Sequence, residues 1–141
     1  MELALRGKIA LVTGASEGIG RAIAQALAAE GVHLTLCARR AAPLQELAAA
    51  IESQHGVSAL PVAADLSTET GIATLVQAHQ TRFGALDILI NNAGSIRAGS
   101  LITKTESEWQ EDFALKFWGY VRLTRAVWPW LVARGGGRVL N

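Results

Sequence analysis

Thr13-Gly-Ala-Ser-Glu-Gly-Ile-Gly20 is the stretch that decides how this chain folds. It follows the apolar, partly β-branched run from Ile9 to Val12, which predicts a buried strand. After it, Ile19, Ala22, Ile23, Ala26 and Leu27 recur at helical spacing. A strand, a glycine-rich turn and a helix in this order form the phosphate cradle of a dinucleotide-binding fold, because N–H groups at the helix N-terminus face the anion.

Each glycine of this turn has its own role in the prediction. We expect Gly14 to permit the tight turn, Gly18 to let the backbone approach a pyrophosphate, and Gly20 to let the helix pack on the strand. The spacing G-x-x-x-G-x-G differs from the common G-x-G-x-x-G pattern, and by itself it is also typical of a tight turn in an ordinary α/β protein. The turn adds further candidate cofactor-binding residues, namely Ser16, Glu17 and Ile19.

Composition narrows the class of protein. The 141 residues suit about one domain, and 50% of them are apolar, as helices packed on a sheet require. Thirteen basic against twelve acidic residues give no electrostatic support for a nucleic-acid or membrane-surface role. No apolar run has the length of a signal peptide or a membrane span, so we expect a cytoplasmic protein.

Cysteine and histidine usage gives no sign of a metal or redox site. Cys37 is the single cysteine and lies in the apolar run Leu34 to Ala38, which favours a buried, inert thiol. The histidines are His33, His55 and His79, and none has ligand spacing with a carboxylate or with Cys37. We therefore expect no metal.

Strand and helix patterns alternate along the whole chain. Strands are expected over 8–13, 33–38, 59–64, 87–91 and from 138 onwards. Helices are expected over 18–30 with Gly31 at C′, from near Pro43 to before Gly56, from a cap at Ser67 or Thr68 to Gly84, and up to Arg134. Thr103-x-x-Glu106 and Thr105-x-x-Glu108 are candidate capping boxes of the last helix, which Pro129 should bend. Such alternation predicts a parallel sheet with helices on both faces.

A second motif gives the chain a family resemblance. Asn91-Asn-Ala-Gly94 follows the fourth predicted strand, and together with the glycine turn it resembles the short-chain dehydrogenase/reductase family. The resemblance extends from Leu5 to the last residue. It implies a three-layer, doubly wound Rossmann sheet with strand order 3-2-1-4-5 and a ligand crevice between strands one and four. Periodicity alone leaves a flavodoxin-like order, 2-1-3-4-5, open.

The end of strand two indicates which cofactor is preferred. Sites that bind NAD usually place an acidic residue there, whereas this chain has Ala38 followed by Arg39 and Arg40. We interpret these arginines, Arg39 first, as receiving the 2′-phosphate of NADP(H). A helix N-terminus disfavours nearby cations, and a bound phosphate would reverse that sign. Two solvated surface cations are the alternative.

Strands three and four supply further candidates through the resemblance. Asp65, followed by Leu66, matches the family's adenine-contacting acid, although Asp65 or Ser67 would equally serve as a cap of the next helix. In the family this motif, here with Asn91, Ala93 and Gly94, lines the cofactor ribose and steadies the central sheet. An Asx turn is the alternative role for Asn91.

The activity that the resemblance implies is reversible hydride transfer between nicotinamide and the carbonyl or alcohol carbon of a small molecule, as in ketone or 3-oxoacyl reductases. The family's proton donor is the Tyr of Tyr-x-x-x-Lys, and its Ser follows strand five. The single tyrosine, Tyr120, precedes strand five and has Thr124 four residues on, and no serine follows Ser107. We therefore expect residues 1–141 to be one NADP-binding Rossmann domain, truncated in or just after strand five and inactive alone. A non-catalytic NADP-binding or interaction module is the alternative.

The last helix departs from the family in one position and carries an excess of apolar side chains. Where the family has an Asn seven residues after a Trp, counting from Trp109 reaches Lys116, which is either part of a proton relay or a structural cation. The apolar residues around the helix are Phe113, Phe117, Trp118, Val121, Trp128, Trp130 and Leu131. One stripe suffices for packing on a sheet, so the excess predicts a homodimer or homotetramer interface, or contact with the rest of a longer enzyme.

Overall fold

Strands and helices alternate through the chain in the computed structural model, which describes residues 3–141. The strands are β1 (Ile9–Thr13), β2 (His33–Ala38), β3 (Ala59–Ala63), β4 (Ile88–Ile90) and β5 (Arg138–Leu140). The helices are α1 (Gly18–Ala29), α2 (Ala41–His55), α3 (Glu69–Arg82), α4 (Glu106–Phe113) and α5 (Tyr120–Ala133). A π-helical segment, Ala114–Gly119, joins α4 to α5.

The five strands form one parallel sheet in the order β3-β2-β1-β4-β5. This confirms the order 3-2-1-4-5 and excludes the flavodoxin-like alternative. In the register, Val12 of β1 is paired with Leu36 of β2 on one side and with Ile90 of β4 on the other. The carboxyl ends of β1 and β4 are therefore adjacent, where the glycine turn and the Asn-Ala-Gly segment begin.

Each face of the sheet is covered by its own core. On one face, α1 and α2 pack on alternate strand residues, with Ala24, Ala28, Leu47 and Ile51 among the buried side chains. On the other face, α3 and α5 do the same, with Ile72, Leu75, Leu123 and Val127 buried. The alternation within β1 shows the division, since Ala10 and Val12 belong to the first core and Leu11 to the second.

Two details of the helices differ from the sequence prediction. α2 begins at Ala41 and Pro43 is its third residue, a position whose N–H makes no intrahelical bond in any case. The buried residues of α1 are Gly20, Ala24 and Ala28, whereas Ile19, Ala22 and Ala26 are exposed, so the predicted stripe was wrong in part. Small side chains let α1 lie close to the sheet. The C′ prediction is confirmed, because Gly31 follows α1 with a φ of 81°.

The helix caps resolve the open alternatives. The hydroxyl oxygen of Thr68 accepts from the Gly71 N–H at 3.0 Å, so Thr68, not Ser67, caps α3. Thr105 and Glu108 form a reciprocal capping box at the start of α4. The other candidate is wrong, because the Thr103 hydroxyl bonds within the preceding turn to Ser100.

The sequence predicted one long α-helix for the final helical region, but the structure divides this region in two. The π-helical segment interrupts it and contains Lys116. Pro129 lies inside α5, and a bend there stays a prediction. Of the apolar residues around this region, Leu131 is buried in the core and Trp130 packs on His79, with ring centroids 5.1 Å apart. The half-exposed members are Phe113, Phe117, Trp118 and Trp128.

A charged cluster lies at the amino ends of the strands, which we call the amino edge of the sheet. Asp87, just before β4, is buried and accepts two hydrogen bonds from the Arg134 guanidinium, each 3.1 Å long. The same carboxylate accepts from the Ile9 N–H at 2.9 Å, and Lys8 Nζ lies 3.7 Å away. One carboxylate thus joins the start of β1, the start of β4 and the end of α5.

Candidate functional site

A cavity of about 580 Å³ opens at the carboxyl ends of the strands, which we call the carboxyl edge of the sheet. Ten of the thirteen residues predicted to bind cofactor line it, namely Gly14, Ser16, Glu17, Ile19, Arg39, Arg40, Asp65, Leu66, Ala93 and Gly94. The other lining residues were not predicted as site residues and are Cys37, Ala38, Ala64, Asn92, Ser95 and Leu115. Gly18, Gly20 and Asn91 lie outside this lining. Its volume falls in the usual range for small-molecule and cofactor sites.

The glycine turn is open toward ligand and closed toward the sheet. Gly14 and Gly18 have φ values of 64° and 56°, a region that favours glycine. A Cβ added to Gly18 would meet nothing within 4 Å, so no side chain fills the space in front of it. A Cβ on Gly20 would lie 2.1 Å from the Gly14 carbonyl oxygen, which agrees with the expectation that Gly20 permits close helix packing.

The helices that begin at the cavity differ from the others in their caps. Glu17 and Arg40 are the N-cap residues of α1 and α2, and neither makes a side-chain capping hydrogen bond. By contrast, α3 and α4 are capped by Thr68 and Thr105. The first N–H groups of an α-helix have no intrahelical acceptor, so α1 and α2 present uncapped donors where an anion would be stabilised.

The Asn-Ala-Gly segment is fixed to the glycine turn by one buried hydroxyl. Thr13 Oγ1 accepts from the N–H groups of Asn92 and Ala93, each at 2.9 Å, and donates to the Ile90 carbonyl at 3.3 Å. Asn92 completes the link, since its Nδ2 donates to the carbonyls of Thr13 and Gly14 at 3.2 and 3.3 Å. The two sides of the cavity are therefore held at a fixed separation.

The π-helical region supports the same segment from the other side. Tyr120 Oη donates to the Ala93 carbonyl at 2.8 Å, and burial raises the pKa of this hydroxyl. The Lys116 stem lies against Gly94, where an added Cβ would be 3.3 Å from Lys116 Cε. The hydroxyl of Tyr120 is thus committed to the backbone, and Lys116 is exposed beside the Asn-Ala-Gly segment. π-helical segments within α-helices are frequent at functional sites.

Charged groups concentrate at the ends of β2 and β3. Hydrogen bonds from the Ser67 hydroxyl and N–H, followed by the charge of Arg39, hold the pKa of Asp65 below its usual value. These bonds to Asp65 Oδ1 measure 2.7 and 3.0 Å. Arg40 Nη2 lies 3.5 Å from Glu17 Oε2, whereas Arg39 forms no ion pair within the described residues.

Asn91 lies outside the cavity lining, whereas Cys37 is part of it. Asn91 is buried, and its Nδ2 donates to Thr124 Oγ1 at 3.1 Å and to Asn141 Oδ1 at 2.8 Å, which links β4, α5 and the residue after β5. Burial, partly offset by a backbone contact with Ala64, raises the pKa of Cys37 to about 12. The thiol is therefore protonated at neutral pH.

The described chain has neither a candidate metal cluster nor a candidate membrane-spanning helix. Residues 3–141 contain no group of three or more His, Cys, Asp or Glu side chains that would hold a metal ion. Over the same residues, no helix combines the length and the apolar character needed to cross a membrane.

Comparison with known proteins matches this geometry. The sequence model of the short chain dehydrogenase family matches residues 8–141. The chain belongs to this family. Among curated relatives of this short-chain dehydrogenase chain, the "Uncharacterized oxidoreductase YvaG" of Bacillus subtilis is 37% identical over 99% of the chain and 52% of that protein. The fatty acyl-CoA reductase of Acinetobacter baylyi is 37% identical over 97% of the chain and 47% of that protein.

Solved structures give the same result. L-Sorbose reductase from Gluconobacter frateurii, complexed with NADPH and L-sorbose, matches 99% of the short-chain dehydrogenase chain with a TM-score of 0.95 and 39% identity, over 53% of its own chain. A short-chain dehydrogenase from Sphingobium yanoikuyae in complex with NADPH matches 94% of the chain with a TM-score of 0.84 and 33% identity, over 51% of its own. The chain spans about half the length of the curated relatives it matches.

Proposed function

We propose that residues 1–141 form the NADP(H)-binding domain of a short-chain oxidoreductase that transfers hydride between nicotinamide and a carbonyl or alcohol carbon. The observation that carries this proposal is the pair of uncapped helix N-termini at one cavity, with two arginines at the second of them. The proposal keeps the cytoplasmic location that the sequence predicts.

The glycine turn is the proposed diphosphate site. Its backbone is exposed in front of Gly18, and Ser16 and Ile19 border the same space. Uncapped N–H groups and the positive end of the α1 dipole both favour a bound anion. Gly20 acts indirectly in this proposal, because it lets the first turn of α1 approach the Gly14 carbonyl.

The arginines are the proposed determinants of NADP(H) over NAD(H). Arg39 follows the position where an acidic residue would bind the ribose hydroxyls of NAD. A guanidinium donates forked, charge-assisted hydrogen bonds that suit a 2′-phosphate. The NADPH complexes of L-sorbose reductase and of the Sphingobium enzyme support this assignment.

The remaining predicted residues have proposed roles along the same ligand. Asp65 lines the cavity with Leu66, and it keeps Oδ2 available for an adenine amino donor while Oδ1 bonds to Ser67. Ala93 and Gly94 offer backbone to the ribose and nicotinamide end. Asn91 would act by fixing the end of β4 rather than by touching the cofactor.

The chemistry of the proposed reaction is divided between cofactor and protein. Bound nicotinamide supplies or accepts the hydride, and a protein group near the substrate oxygen must supply the proton. We do not assign that proton to Tyr120, whose hydroxyl is committed to the Ala93 carbonyl. We propose that the proton donor lies outside residues 1–141, and that Lys116 borders the reacting end of the cavity.

The substrate class and assembly are part of the same proposal. The L-sorbose reductase that the chain resembles supports a small carbonyl or alcohol substrate, and we propose one of the ketone or 3-oxoacyl kind. The half-exposed aromatic face of Phe113, Phe117, Trp118 and Trp128 supports a homodimer or homotetramer.

Titration of NADP⁺ and NAD⁺ against wild type and Arg39→Ala by calorimetry tests the cofactor assignment. One good contact to a charged group contributes about 1.5–3 kcal/mol, so we expect the variant to lose about ten- to a hundred-fold in NADP⁺ affinity with little change for NAD⁺. Arg125→Ala, an exposed cation on α5, is the matched control. Equal NADP⁺ affinity in wild type and Arg39→Ala would refute the assignment.

A further inference from the structure

The side chain of Lys116 lies along the wall of the cavity. Lys116 belongs to the π-helical segment and directly follows Leu115, which lines the cavity. Gly94 lines it too, and a Cβ added to Gly94 would lie 3.3, 3.5 and 3.7 Å from Cε, Cδ and Cγ of Lys116. The lysine stem therefore rests on the Gly94 backbone, and the ammonium bonded to Cε lies beside it. The residue as a whole remains exposed.

The acidic side chains that precede Lys116 on α4 are bound to other cations. Asp112 is four residues before Lys116, the spacing of an ion pair on an α-helix, but it pairs with the buried Lys104. Glu111 pairs with Arg97, with 3.0 Å between Oε2 and Nη2. Lys116 itself forms no ion pair within residues 3–141. Its charge is therefore available to a ligand.

We propose that Lys116 recognises a carboxylate of the substrate, so that the enzyme acts on a small oxo acid in preference to a neutral ketone. This inference rests on the proposed function and narrows the substrate class of the same site. In that function Gly94 borders the nicotinamide end, where the substrate carbonyl must lie. Binding sites use a few charged or polar groups of this kind to orient a ligand.

The donors at this end of the cavity match a carboxylate better than a phosphate ester. Lys116 supplies one compact positive charge, and Ser95, which follows Gly94 and lines the cavity, supplies a hydroxyl. A carboxylate carries one negative charge at neutral pH, whereas a phosphate monoester carries about two. The single ammonium thus balances the charge of an oxo acid.

The test measures the binding of two ketones to the full-length protein loaded with NADP⁺. This form of the cofactor has no hydride to give, so a ketone binds without being reduced. Acetoacetate carries a carboxylate, and acetoacetamide has nearly the same shape without the charge. Lys116→Met keeps the stem on Gly94 and removes the ammonium. By calorimetry at low salt, we expect this variant to bind acetoacetate about three- to five-fold more weakly, the effect of one exposed charge pair, with acetoacetamide unchanged.

Arg125→Met is the matched control, because it removes an exposed cation of α5 that does not line the cavity. It should leave the affinities for both ketones unchanged. A proton-relay or structural role of Lys116 predicts no dependence of ketone binding on ligand charge. An equal loss for both ketones in Lys116→Met, or no loss for either, would therefore overturn the inference.

Titration of NADP⁺ into the same proteins separates this inference from the proposed function. We expect Lys116→Met to bind NADP⁺ as wild type does, and a parallel loss of NADP⁺ affinity would overturn the inference. Wild-type protein that binds NADP⁺ but not acetoacetate would refute only the role of Lys116. Wild-type protein that does not bind NADP⁺ would refute the proposed function itself.

Discussion

The two edges of the sheet have opposite electrostatic arrangements. At the amino edge, the buried Asp87 carboxylate is bonded by Arg134, by the Ile9 N–H and, at longer range, by Lys8. At the carboxyl edge, α1 and α2 begin without side-chain caps, and Arg39 has no ion pair within residues 3–141. The charged groups thus bond to one another at the first edge, whereas at the second edge the N-termini of α1 and α2 and the Arg39 guanidinium remain available for a ligand.

This difference follows from the parallel topology. Every strand runs in the same direction, so the helices that follow β1 and β2 begin at the carboxyl edge with their positive ends toward it. The helices end and the strands start at the amino edge, where Asp87 pairs with Arg134 and Lys8. Stability therefore depends chiefly on one edge and binding on the other, and three perturbations test that division.

The largest expected effect is that of Asp87→Ala on stability. The substitution leaves the Arg134 guanidinium and the Ile9 N–H without their acceptor, so we expect the free energy of unfolding to fall by about 3 kcal/mol. Urea unfolding followed by circular dichroism measures it. Glu46→Ala, on the exposed face of α2, should stay within about 0.5 kcal/mol. Unchanged stability, or a selective loss of nucleotide binding, would break the comparison.

Thr13→Val should have an intermediate effect and show where the two properties meet. It preserves volume but leaves the partly buried N–H groups of Asn92 and Ala93 without their acceptor, so we expect the free energy of unfolding to fall by about 2 kcal/mol. Because these groups fix one wall of the cavity, adenosine 2′,5′-bisphosphate should also bind more weakly. Thr74→Val, on the exposed face of α3, is the control. Weaker binding with full stability would assign the hydroxyl to the site alone.

The smallest effect is a pH dependence that belongs to the interior of the sheet. His79 is buried between Thr35 Oγ1, which donates to Nδ1 at 2.8 Å, and the Ala85 carbonyl, which accepts from Nε2 at 2.9 Å. Burial lowers the pKa of His79 from 6.5, with a partial offset from the Ala85 bond. The unfolded chain therefore binds the proton more readily, and the free energy of unfolding should fall as pH drops below about 6.5.

Urea unfolding between pH 8 and pH 5 measures this slope in wild type and in His79→Gln, where it should flatten. Equal slopes in both proteins would contradict the assignment.

Asp87 contributes in a lower range. Burial alone would raise its pKa, but the bonds from Arg134 and Ile9 and the charges of Arg134 and Lys8 lower it below 3.8. Its stabilisation is present above that value and is lost as pH falls further.

Local chemistry made the framework of the fold predictable from sequence. The strand, turn and helix around Gly14 follow from glycine spacing and apolar runs, and so do the Thr68 cap and the capping box of Thr105 and Glu108. The strand order needed more, since periodicity allowed two topologies and the family resemblance selected one. The ligand assignments of Arg39 and Asp65 stay predictions.

Long-range packing accounts for what the sequence analysis missed. Thr13 and Asn92 are 79 residues apart, and no local pattern indicates that their polar groups meet. Within α1 the helical period was correct, but the buried residues are the small ones, because close packing on the sheet selects Gly20, Ala24 and Ala28. The π-helical segment has no periodic signature in the sequence, and it brings Leu115 to the cavity.

The π-helical segment also determines which side chains of α5 face the sheet. Each residue of an α-helix turns the side-chain direction by about 100°, so wider turns between Ala114 and Gly119 rotate α5 about its axis relative to α4. In the resulting orientation Leu123 and Val127 point into the sheet, while Trp128 points away from it. The rotation of α5 about its axis, and with it the position of the Tyr120 hydroxyl, is therefore determined by the π-helical turn that precedes it.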